Sequence, residues 1–469
     1  MGESANLSLK AFGKQDTYLL SKDPEKTFFN YQDVKKHSEF RKFHKTKNVL
    51  NPGRAAGWPF NQTVKVEYDP KNMGDLLTNL YLKIDLPAKE TENVNYTTPL
   101  GRGFLKSVTM YVDDIKVEEI TDDWEMIHES LYLDPQSKNG NLVLQNMSQE
   151  FTPGISAPSS YGPSNRFIVP LSFFFSRKYG KTELRKEVED RHYFPVCAVH
   201  KQKIMFELVF HPQSWWQGVE NEHTPTTIEL NNFQLISEEI KLSHEERLYM
   251  VEANHEILVN VLKKHTSFTT TPESDTTFKV NLEPKSKVKA FHWFFRDKLF
   301  TTQTKATHRY VTFVRSRAEE LRWVNGSLSL PAPMITRNTP IMKKARFFLN
   351  GESFPNTLME SHEHYKYAVP YKFDLGVTDD RINIYTQSFA LHPLHEKSTG
   401  TLDFANLNAD RTLIEFEINK LLPNAAQTEV GASPDPASDQ HFSGEFELNL
   451  YYLELQKFNF SRGFMTIEY

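Results

Sequence analysis

Short stretches of alternating apolar and polar residues recur along this chain, and they predict β-strands rather than long helices. In LYLKIDL (80–86) apolar residues occupy every second position, a period of two that turns one face inward and the other toward water. Other stretches, such as TVKVEY (63–68) and KIMFELVF (203–210), are rich in β-branched and aromatic residues and are bounded by turn-forming residues. The pattern favours an all-β architecture.

Helical signals are few. TDDWEMIHESLYL (121–133) begins with a threonine or aspartate cap and spaces its apolar residues at three and four. SHEERLYMVEANHEIL (243–258) begins with a capping box. Two long polar stretches, 134–165 and 422–444, are predicted to be loops.

The second half of the chain repeats the plan of the first. A hairpin at YVDDIKV (111–117) precedes the first helical piece, and a hairpin at ARFFLNGESF (345–354), with an Asn-Gly turn, precedes a second one. An apolar strand then follows in each half, FIVPLSFFF (167–175) in the first and INIYTQSFALHP (382–393) in the second. This order predicts the duplication of one β-sandwich.

The stretch FIVPLSFFF is predicted to be a core strand with one continuous apolar face. Phe174 belongs to the opposite row, and Pro170 predicts an edge or a bulge because it has no N–H to donate. Arg177 and Lys178 are expected to return the chain to water. The residues predicted to face the core are Phe167, Val169, Leu171, Phe173 and Phe175.

Composition removes several classes of protein. The 469 residues include 55 basic and 60 acidic ones, a net charge of −5, without the basic domain typical of a nucleic-acid binder. The one cysteine, Cys197, permits no internal disulfide, so a reducing compartment is expected. No window approaches the ~18 apolar residues of a membrane-spanning helix, and the N-terminus lacks the pattern of a signal peptide.

Six motifs occur in the same order as in a known family. On these motifs the chain resembles the double jelly-roll major capsid proteins of large eukaryotic DNA viruses and their polinton-like and virophage relatives. The resemblance covers nearly the whole chain, although Asp403 and Ala405 depart from the Asn and Ser of the family pattern. The motifs are GKQDTYLLSKDPEKTFFNYQDVKKHSEF (13–40), NRFIVPLSFFFSRKYGK (165–181), LSHEERLYMVEANHEILV (242–259), VKAFHWFF (288–295), FFLNGESF (347–354) and QSFALHPLHEKSTGTLDFANLN (387–408).

The resemblance implies an all-β fold of two tandem eight-stranded antiparallel jelly rolls, a double jelly roll, with short helices in the connections. It implies an N-terminal arm at 1–26, a first roll at 27–240 and a second roll at 241–469, with a short helical link at about 243–254.

The same resemblance implies a major capsid protein that self-assembles as pseudo-hexagonal homotrimeric capsomers, which tile an icosahedral virus shell. Such a protein is located in the virion capsid after assembly in the host cytoplasm or nucleus. Its expected partners are itself, neighbouring capsomers, and penton and minor capsid proteins. Neither enzyme activity nor a cofactor is expected. The alternative is a β-sandwich carbohydrate-binding or carbohydrate-active protein, a receptor-binding spike or a glycosidase, for which Trp215-Trp216 is the one adjacent tryptophan pair.

Candidate catalytic and metal-binding patterns are weak. HEHY (362–365) lacks the following carboxylate of a jelly-roll metal site, and His255 has no second histidine four residues later. Cys197 has His200 three residues on, but a buried thiol is the favoured interpretation. The acidic pairs are expected to be solvated carboxylates at a turn, a strand end and a helix cap; they are Asp113-Asp114, Glu118-Glu119 and Asp122-Asp123.

Two surface features remain. KKHSEFRKFHKTK (35–47) interleaves basic and aromatic residues, which favours a structured segment with solvated basic side chains. The alternative for this N-terminal segment is contact with an inner membrane or the genome. Among the glycosylation sequons, Asn146 in the first long loop is the best candidate for a surface sugar.

Overall fold

A computed structural model describes most of the chain. The predicted N-terminal arm (1–26), Asn146 and the loop 422–444 lie outside the described residues. The described residues are 40–49, 57, 59–86, 94–96, 100–145, 166–179, 192–212, 215, 217–219, 228–270, 277–298, 313–316, 322–324, 327–329, 337–354, 359–378, 382–396, 398–418 and 445–468.

The first half forms two four-stranded antiparallel sheets. One has the strand order β1-β10-β3-β7 and the other β2-β8-β5-β6, while β4 and β9 pair separately. The strands are β1 (Phe40–Asn48), β2 (Thr63–Tyr68), β3 (Leu76–Asp85), β4 (Val94–Tyr96), β5 (Leu105–Val112), β6 (Ile115–Thr121), β7 (Arg166–Pro170), β8 (Ile204–Phe210), β9 (Gln217–Val219) and β10 (Phe233–Leu242).

The second half forms two further sheets. One has the central order β11-β24-β14-β21, with β12, β22 and β25 added at its margins, and the other has the order β13-β23-β19-β20. The pairs β15-β18 and β16-β17 stand apart. The strands are β11 (His255–Lys264), β12 (Phe268–Thr270), β13 (Thr277–Asn281), β14 (Lys287–Asp297), β15 (Phe313–Ser316), β16 (Arg322–Val324), β17 (Ser327–Ser329), β18 (Arg337–Pro340), β19 (Met342–Leu349), β20 (Glu352–Phe354), β21 (Tyr385–Ser388), β22 (Leu402–Asp403), β23 (Leu413–Ile418), β24 (Phe446–Ser461) and β25 (Phe464–Glu468).

The two halves share one topology. The sheet β1-β10-β3-β7 of the first half corresponds, strand by strand, to β11-β24-β14-β21 of the second half. The sheet β2-β8-β5-β6 corresponds in the same way to β13-β23-β19-β20. Two packed sheets of four strands each, connected in this order, form a jelly roll. The predicted fold of two tandem jelly rolls is therefore confirmed, and the duplication inferred from the order of motifs is present in the strand order.

Short helices occupy the connections. The predicted loop at 134–165 is wrong in its first part, because Asp134 accepts a hydrogen bond from the Ser137 N–H at 2.9 Å and a helix starts there. The second predicted helix ends at Glu252, and His255 already begins β11. The α-helices are α1 (Leu100–Gly103), α2 (Asp122–Leu131), α3 (Pro135–Leu144), α4 (His244–Glu252) and α5 (Val369–Lys372), with a π-helix at His364–Ala368 and 3-10 turns at Pro70–Asn72, Val196–Val199, Leu230–Asn232, Phe404–Asn406 and Ala409–Arg411.

Both predicted hairpins are present and rest on left-handed turn residues. Asp113, between β5 and β6, has φ 51°, and Asn350 and Gly351, between β19 and β20, have φ 54° and 88°. Two consecutive residues with positive φ define the type I′ turn that Asn-Gly favours. Thr121 caps α2 by accepting a hydrogen bond from the Trp124 N–H, as the sequence indicated.

The stretch 167–175 is buried, but its conformation differs from the prediction. The strand ends at Pro170, and the N–H groups of Ser176 and Arg177 both donate to the Phe173 carbonyl, which closes a turn. Phe174, expected on the opposite row, is 1% exposed because the turn directs it against the second half, where its ring centroid lies 5.4 Å from that of Phe458. The five residues predicted to face the core are between 0% and 4% exposed, although three of them follow the strand; these three are Leu171, Phe173 and Phe175.

Phe173→Ala should lower the free energy of unfolding by about 3–5 kcal/mol, because it removes a fully buried ring and leaves a cavity. The ring of Phe173 stacks on that of Phe175 at 5.6 Å and contacts that of Phe206 at 5.7 Å. Phe354→Ala is the control, since Phe354 is 39% exposed. Equal losses for the two variants in urea unfolding would contradict the placement of Phe173 in the core.

Candidate functional site: the junction between the two jelly rolls

Buried polar groups join the two rolls. From the first roll come β6, α2 and the segment after β7, and from the second come β11, β14 and β24. Buried polar groups must find hydrogen-bond partners or cost stability. Each contact across this junction therefore constrains the position of one roll relative to the other.

Arg177 and Glu118 lie at the centre of the junction. Both side chains are 0% exposed, and Arg177 Nη2 lies 2.5 Å from Glu118 Oε1. The guanidinium also lies 5.3 Å from the centroid of the Trp124 ring. Burial raises the pKa of the Glu118 carboxyl above its ordinary value, and the charge of Arg177 opposes that rise. The pair satisfies charges that would otherwise be very costly to bury.

The same pair also binds the backbone of the second roll. Glu118 Oε1 accepts a hydrogen bond from the Leu262 N–H at 2.7 Å, and Arg177 Nη1 donates to the Asn260 carbonyl at 3.0 Å. Glu118 Oε2 accepts from the Phe174 N–H at 2.6 Å within the first roll. Because β11 is an edge strand, its free backbone groups could pair with another chain, and the ion pair occupies two of them.

A second ion pair crosses the junction at the start of α2. Arg296 of β14 donates from both terminal nitrogens to the carboxylate of Asp123. Burial raises the pKa of Asp123, while Arg296 opposes that rise. The preceding Asp122 is held within the first roll, with Oδ2 at 2.9 Å from His211 Nε2.

Hydroxyl and imidazole groups complete the junction. The hydroxyls of Thr121 and Tyr451 lie 3.0 Å apart across it. The Tyr132 hydroxyl lies 2.7 Å from His292 Nε2, and His292 Nδ1 is hydrogen-bonded to Thr386. This series of hydrogen bonds connects α2 of the first roll with β14 and β21 of the second.

One glycine permits close packing beside α2. The Gly376 N–H donates to the Leu131 carbonyl at 2.7 Å. A Cβ at Gly376 would lie 2.2 Å from the Ser130 carbonyl oxygen, so a side chain would force the second roll away from α2.

Two expectations about charged residues at the junction are wrong. Arg177 does not return the chain to water; it is 1% exposed, because the turn after β7 directs it inward to Glu118, whereas Lys178 is exposed. The carboxylates of Glu118, Asp122 and Asp123 are buried and paired rather than solvated. The remaining members of the acidic pairs are exposed or half-buried, namely Asp113, Asp114 and Glu119.

The other candidate groups are placed in structural roles. The Cys197 thiol is buried, which raises its pKa to about 11, and His200 Nδ1 lies 3.1 Å from the Cys197 carbonyl oxygen. His362 Nδ1 lies 2.9 Å from the Tyr385 hydroxyl. Within the described ranges, no group of three or more histidine, cysteine or acidic side chains could hold a metal ion.

The basic segment forms an edge strand in its described part, from Phe40 onward. Lys42 forms an ion pair with Glu238, and Lys45 lies 3.7 Å from Glu239. Lysines on an edge strand oppose pairing with other chains. Contact of the N-terminal segment with a membrane or genome stays a prediction. None of the helices in the described part of the chain has the length and apolarity needed to cross a membrane.

The ion pairs of the junction escaped the sequence analysis because no local pattern marks them. Glu118 and Arg177 are 59 residues apart, and Arg177 and Asn260 are 83 apart. The available signal was an arginine two residues after an apolar run and a glutamate within a strand. A β-strand places alternate residues inward, and Glu118 shares the inward parity of Ile120.

Comparisons with known proteins agree with this architecture. Residues 28–238 match the family described as major capsid protein N-terminus, and residues 246–462 match the family described as large eukaryotic DNA virus major capsid protein. No curated protein sequence matches the chain.

Three solved structures share the fold at low sequence identity. The VP54 protein of PBCV-1, fitted into a reconstruction of the virophage Sputnik, aligns with a TM-score of 0.68 and 18% identity over 94% of this chain and 99% of that chain. A quasi-atomic description of the PBCV-1 capsid gives 0.67 and 17% over 94% and 99%. The Faustovirus major capsid protein gives 0.57 and 11% over 90% and 91%.

Arg177→Met should lower the free energy of unfolding by about 3–5 kcal/mol, because it leaves Glu118 buried without its cation. The double variant Arg177→Met with Glu118→Leu should recover part of that loss, because it removes the stranded charge. The control is Lys116→Met, which breaks an exposed ion pair with Glu119 and should cost less than ~1 kcal/mol. Urea unfolding measures all three, and a double variant less stable than the single one would contradict this role.

Acid should destabilise the folded protein through two buried histidines, His128 of α2 and His292 of β14. Burial lowers the pKa of each to about 3, from an ordinary value of 6.5. The folded state therefore binds these protons less tightly than the unfolded state. The contribution of the two histidines to the free energy of unfolding is complete above pH 6.5 and is lost as the pH falls from 6.5 toward 3. His292→Gln should flatten the curve of unfolding free energy against pH by up to about 1.4 kcal/mol per pH unit in that window.

The curve of unfolding free energy against pH must be measured for both the unaltered protein and His292→Gln, because the buried Glu125 changes stability with pH in the opposite direction to His292. Burial raises the pKa of Glu125 to about 7, so its contribution is complete below pH 4.5 and is lost as the pH rises toward 7. Subtracting the His292→Gln curve from that of the unaltered protein cancels this contribution. Parallel curves would show that His292 is not held neutral by the fold.

Proposed function

Because the chain belongs to the major capsid protein family of large eukaryotic DNA viruses, we propose that three copies form a pseudo-hexagonal capsomer that tiles an icosahedral shell. The chain is a capsid protein and a structural component of the virion, not an enzyme. We propose the boundaries 27–240 and 241–469 for the two rolls, with α4 as the short helical link between them.

The observation that carries this proposal is the repeated topology within one chain, whose two halves are connected by buried ion pairs and hydrogen bonds. Each chain presents two units with the same strand order, side by side. Three chains related by a three-fold axis then present six similar units, which approximates a hexagon. Heterologous contacts around such an axis close into a finite ring. A hexagonal outline allows neighbouring capsomers to pack without gaps.

The junction supports the proposal because a capsomer edge must keep its shape during assembly. If the two rolls could rotate freely, the six units would not stay in one hexagonal outline. The Arg177–Glu118 pair holds β11 through two backbone hydrogen bonds, and Arg296 of β14 binds Asp123 of α2, so both pairs connect the two rolls. Contacts with penton and minor capsid proteins are part of the same proposal.

A glycosidase is the weaker candidate. Its mechanism needs one free carboxylate and one protonated carboxylic acid flanking a groove. Asp122 and Asp123 are adjacent and buried, but His211 and Arg296 engage them. They therefore serve the junction, and no observation favours hydrolysis.

Purified protein should behave as a trimer in solution, with three times the 54.6 kDa mass of one chain. Native mass spectrometry measures the mass, and electron microscopy should show particles with a hexagonal outline. Monomers alone at micromolar concentration would contradict the proposal.

Adjacent residues provide a matched test of the junction in assembly. Arg177→Ala should reduce the trimer yield sharply, because the two rolls lose their fixed arrangement. Lys178→Ala removes an exposed cation one residue further on and should give trimers like the unaltered protein. Equal trimer yields for the two variants would show that trimer assembly does not depend on the junction.

A further inference from the structure

The sheet β11-β24-β14-β21 of the second roll is covered on both of its faces. In β14, Trp293 and Phe295 are buried in the core of the second roll. The alternate residues face the first roll, since Phe294 packs into the core of that roll and His292 binds Tyr132. Both rows of side chains on this strand are therefore buried, as in a sheet that packs against a neighbour on each side.

The corresponding sheet of the first roll, β1-β10-β3-β7, has one buried and one accessible face. In β3, Leu82 and Ile84 lie in the core of the first roll, whereas the alternate residues Tyr81 and Lys83 are half-buried. In β10, Ile236 is likewise half-buried between two buried neighbours. The face that the second roll covers in its own sheet is thus accessible on the first roll of a single chain.

The strand registers match one row of residues on this accessible face with a row at the junction. The outer row crosses the first-roll sheet and comprises Thr46, Ile236, Tyr81 and Pro170. The junction row crosses the second-roll sheet and comprises Lys264, Tyr451, His292 and Thr386. Alignment of IVPLSF (168–173) with IYTQSF (384–389) on their shared Ser-Phe places Pro170 on Thr386. The two rows are therefore equivalent positions of the two rolls.

Contact with α2 and its flanking residues buries the junction row. The Tyr451 hydroxyl lies 3.0 Å from that of Thr121, which precedes α2, and His292 Nε2 lies 2.7 Å from the hydroxyl of Tyr132, which follows it. Tyr451 and His292 are both fully buried. On the outer row, by contrast, Thr46 is exposed and the other three residues are half-buried. A helix packed on the outer row would bury it in the same way.

The helical segment that corresponds to α2 in the second roll carries exposed apolar side chains. The π-helix and α5 follow the hairpin β19-β20, as α2 follows the hairpin β5-β6. Tyr371, near the end of α5, is 83% exposed, and Met359 and Val377 are exposed beside it. These three residues, here called the Tyr371 patch, line a groove of about 540 Å³. Exposed apolar patches mark interaction sites, and tyrosine and methionine are enriched in interfaces between proteins.

We propose that the Tyr371 patch of one copy packs against the outer row of a second copy of this chain. The contact that α2 makes within a chain is then repeated between chains. This inference rests on the proposed trimer and names the surfaces that form it. Because the two surfaces differ, each copy carries one of each kind, and such head-to-tail contacts close into a ring. Three copies then give six rolls joined by equivalent contacts.

Tyr371→Ala tests the patch. The variant should raise the concentration at which half of the chains are trimeric about thirtyfold or more, because buried tyrosines often dominate the binding energy of an interface. Analytical ultracentrifugation over a concentration series measures this value. The thermal midpoint of the monomer should not change, since the Tyr371 side chain is exposed there. The control is Tyr249→Ala, which removes an exposed tyrosine from α4 and should leave trimer formation unchanged.

Cysteine cross-linking tests which surface the patch contacts. Cys197, the one cysteine of the chain, is buried with its pKa raised to about 11, so it should react slowly with maleimides. The double variant Lys372→Cys with Thr46→Cys places one thiol beside Tyr371 and one on the outer row. A flexible bis-maleimide should then join copies into covalent dimers and trimers on denaturing electrophoresis. The control is Lys279→Cys with Thr46→Cys, which moves one thiol to β13, at the edge of its sheet opposite β20, and should give single chains.

The outcomes separate this contact from the proposed trimer. Unaltered protein that remains monomeric contradicts both the trimer and the contact. A trimer that Tyr371→Ala leaves equally stable overturns the contact alone, and so do equal losses from Tyr371→Ala and Tyr249→Ala. If Tyr371→Ala lowers the thermal midpoint of the monomer, the cross-linking decides, because its variants retain Tyr371. A trimeric double variant that yields no covalent dimers or trimers then overturns the contact.

Discussion

The arrangement of the two jelly rolls depends on one buried arginine–glutamate pair. Arg177 and Glu118 are both inaccessible to water, and together they bind the backbone of Asn260 and Leu262 on the other roll. Burying two charges is costly, so such a pair contributes more to defining one arrangement than to net stability. Any rotation of the second roll would strand charges and backbone groups without partners. The pair therefore selects a single relative orientation.

The other contacts of the junction depend on this orientation. Gly376 can approach α2 closely, and Arg296 can reach Asp123, only when β11 lies against β6. The result is a chain in which two units of the same topology are held side by side. In the proposed trimer, this arrangement would convert three-fold symmetry into an approximately six-fold outline. In that proposal, the polar junction links the fold of one chain to the shape of the shell.

The sequence predicted those features that local chemistry determines. The hairpin at Asn350-Gly351 follows from residues that tolerate positive φ, and the α2 cap follows from Thr121. The repeated order of motifs indicated two similar rolls, since each motif occupies the same place in both halves. The strand predicted at 80–86 from its alternation lies within β3 (Leu76–Asp85) except for Leu86, and Leu82 and Ile84 are both buried.

The junction could not be predicted because its partners are distant in sequence and carry charge. Burial of Arg177 requires Glu118, and no spacing rule links two residues 59 positions apart. Phe174 does not follow the predicted alternation of buried and exposed residues, because the strand ends at Pro170 and the following turn directs Arg177 inward. The alternation rule for strands fails in this segment, because contacts with the second roll determine which side chains are buried.

Differential scanning calorimetry of the purified protein tests most directly whether the junction makes the two rolls one unit. We predict a single transition for both rolls, with a calorimetric enthalpy equal to the van't Hoff enthalpy per cooperative unit. Two resolved transitions, each with the enthalpy expected for about half of the chain, would show that the rolls unfold independently. That result would contradict the central role given to the Arg177–Glu118 pair.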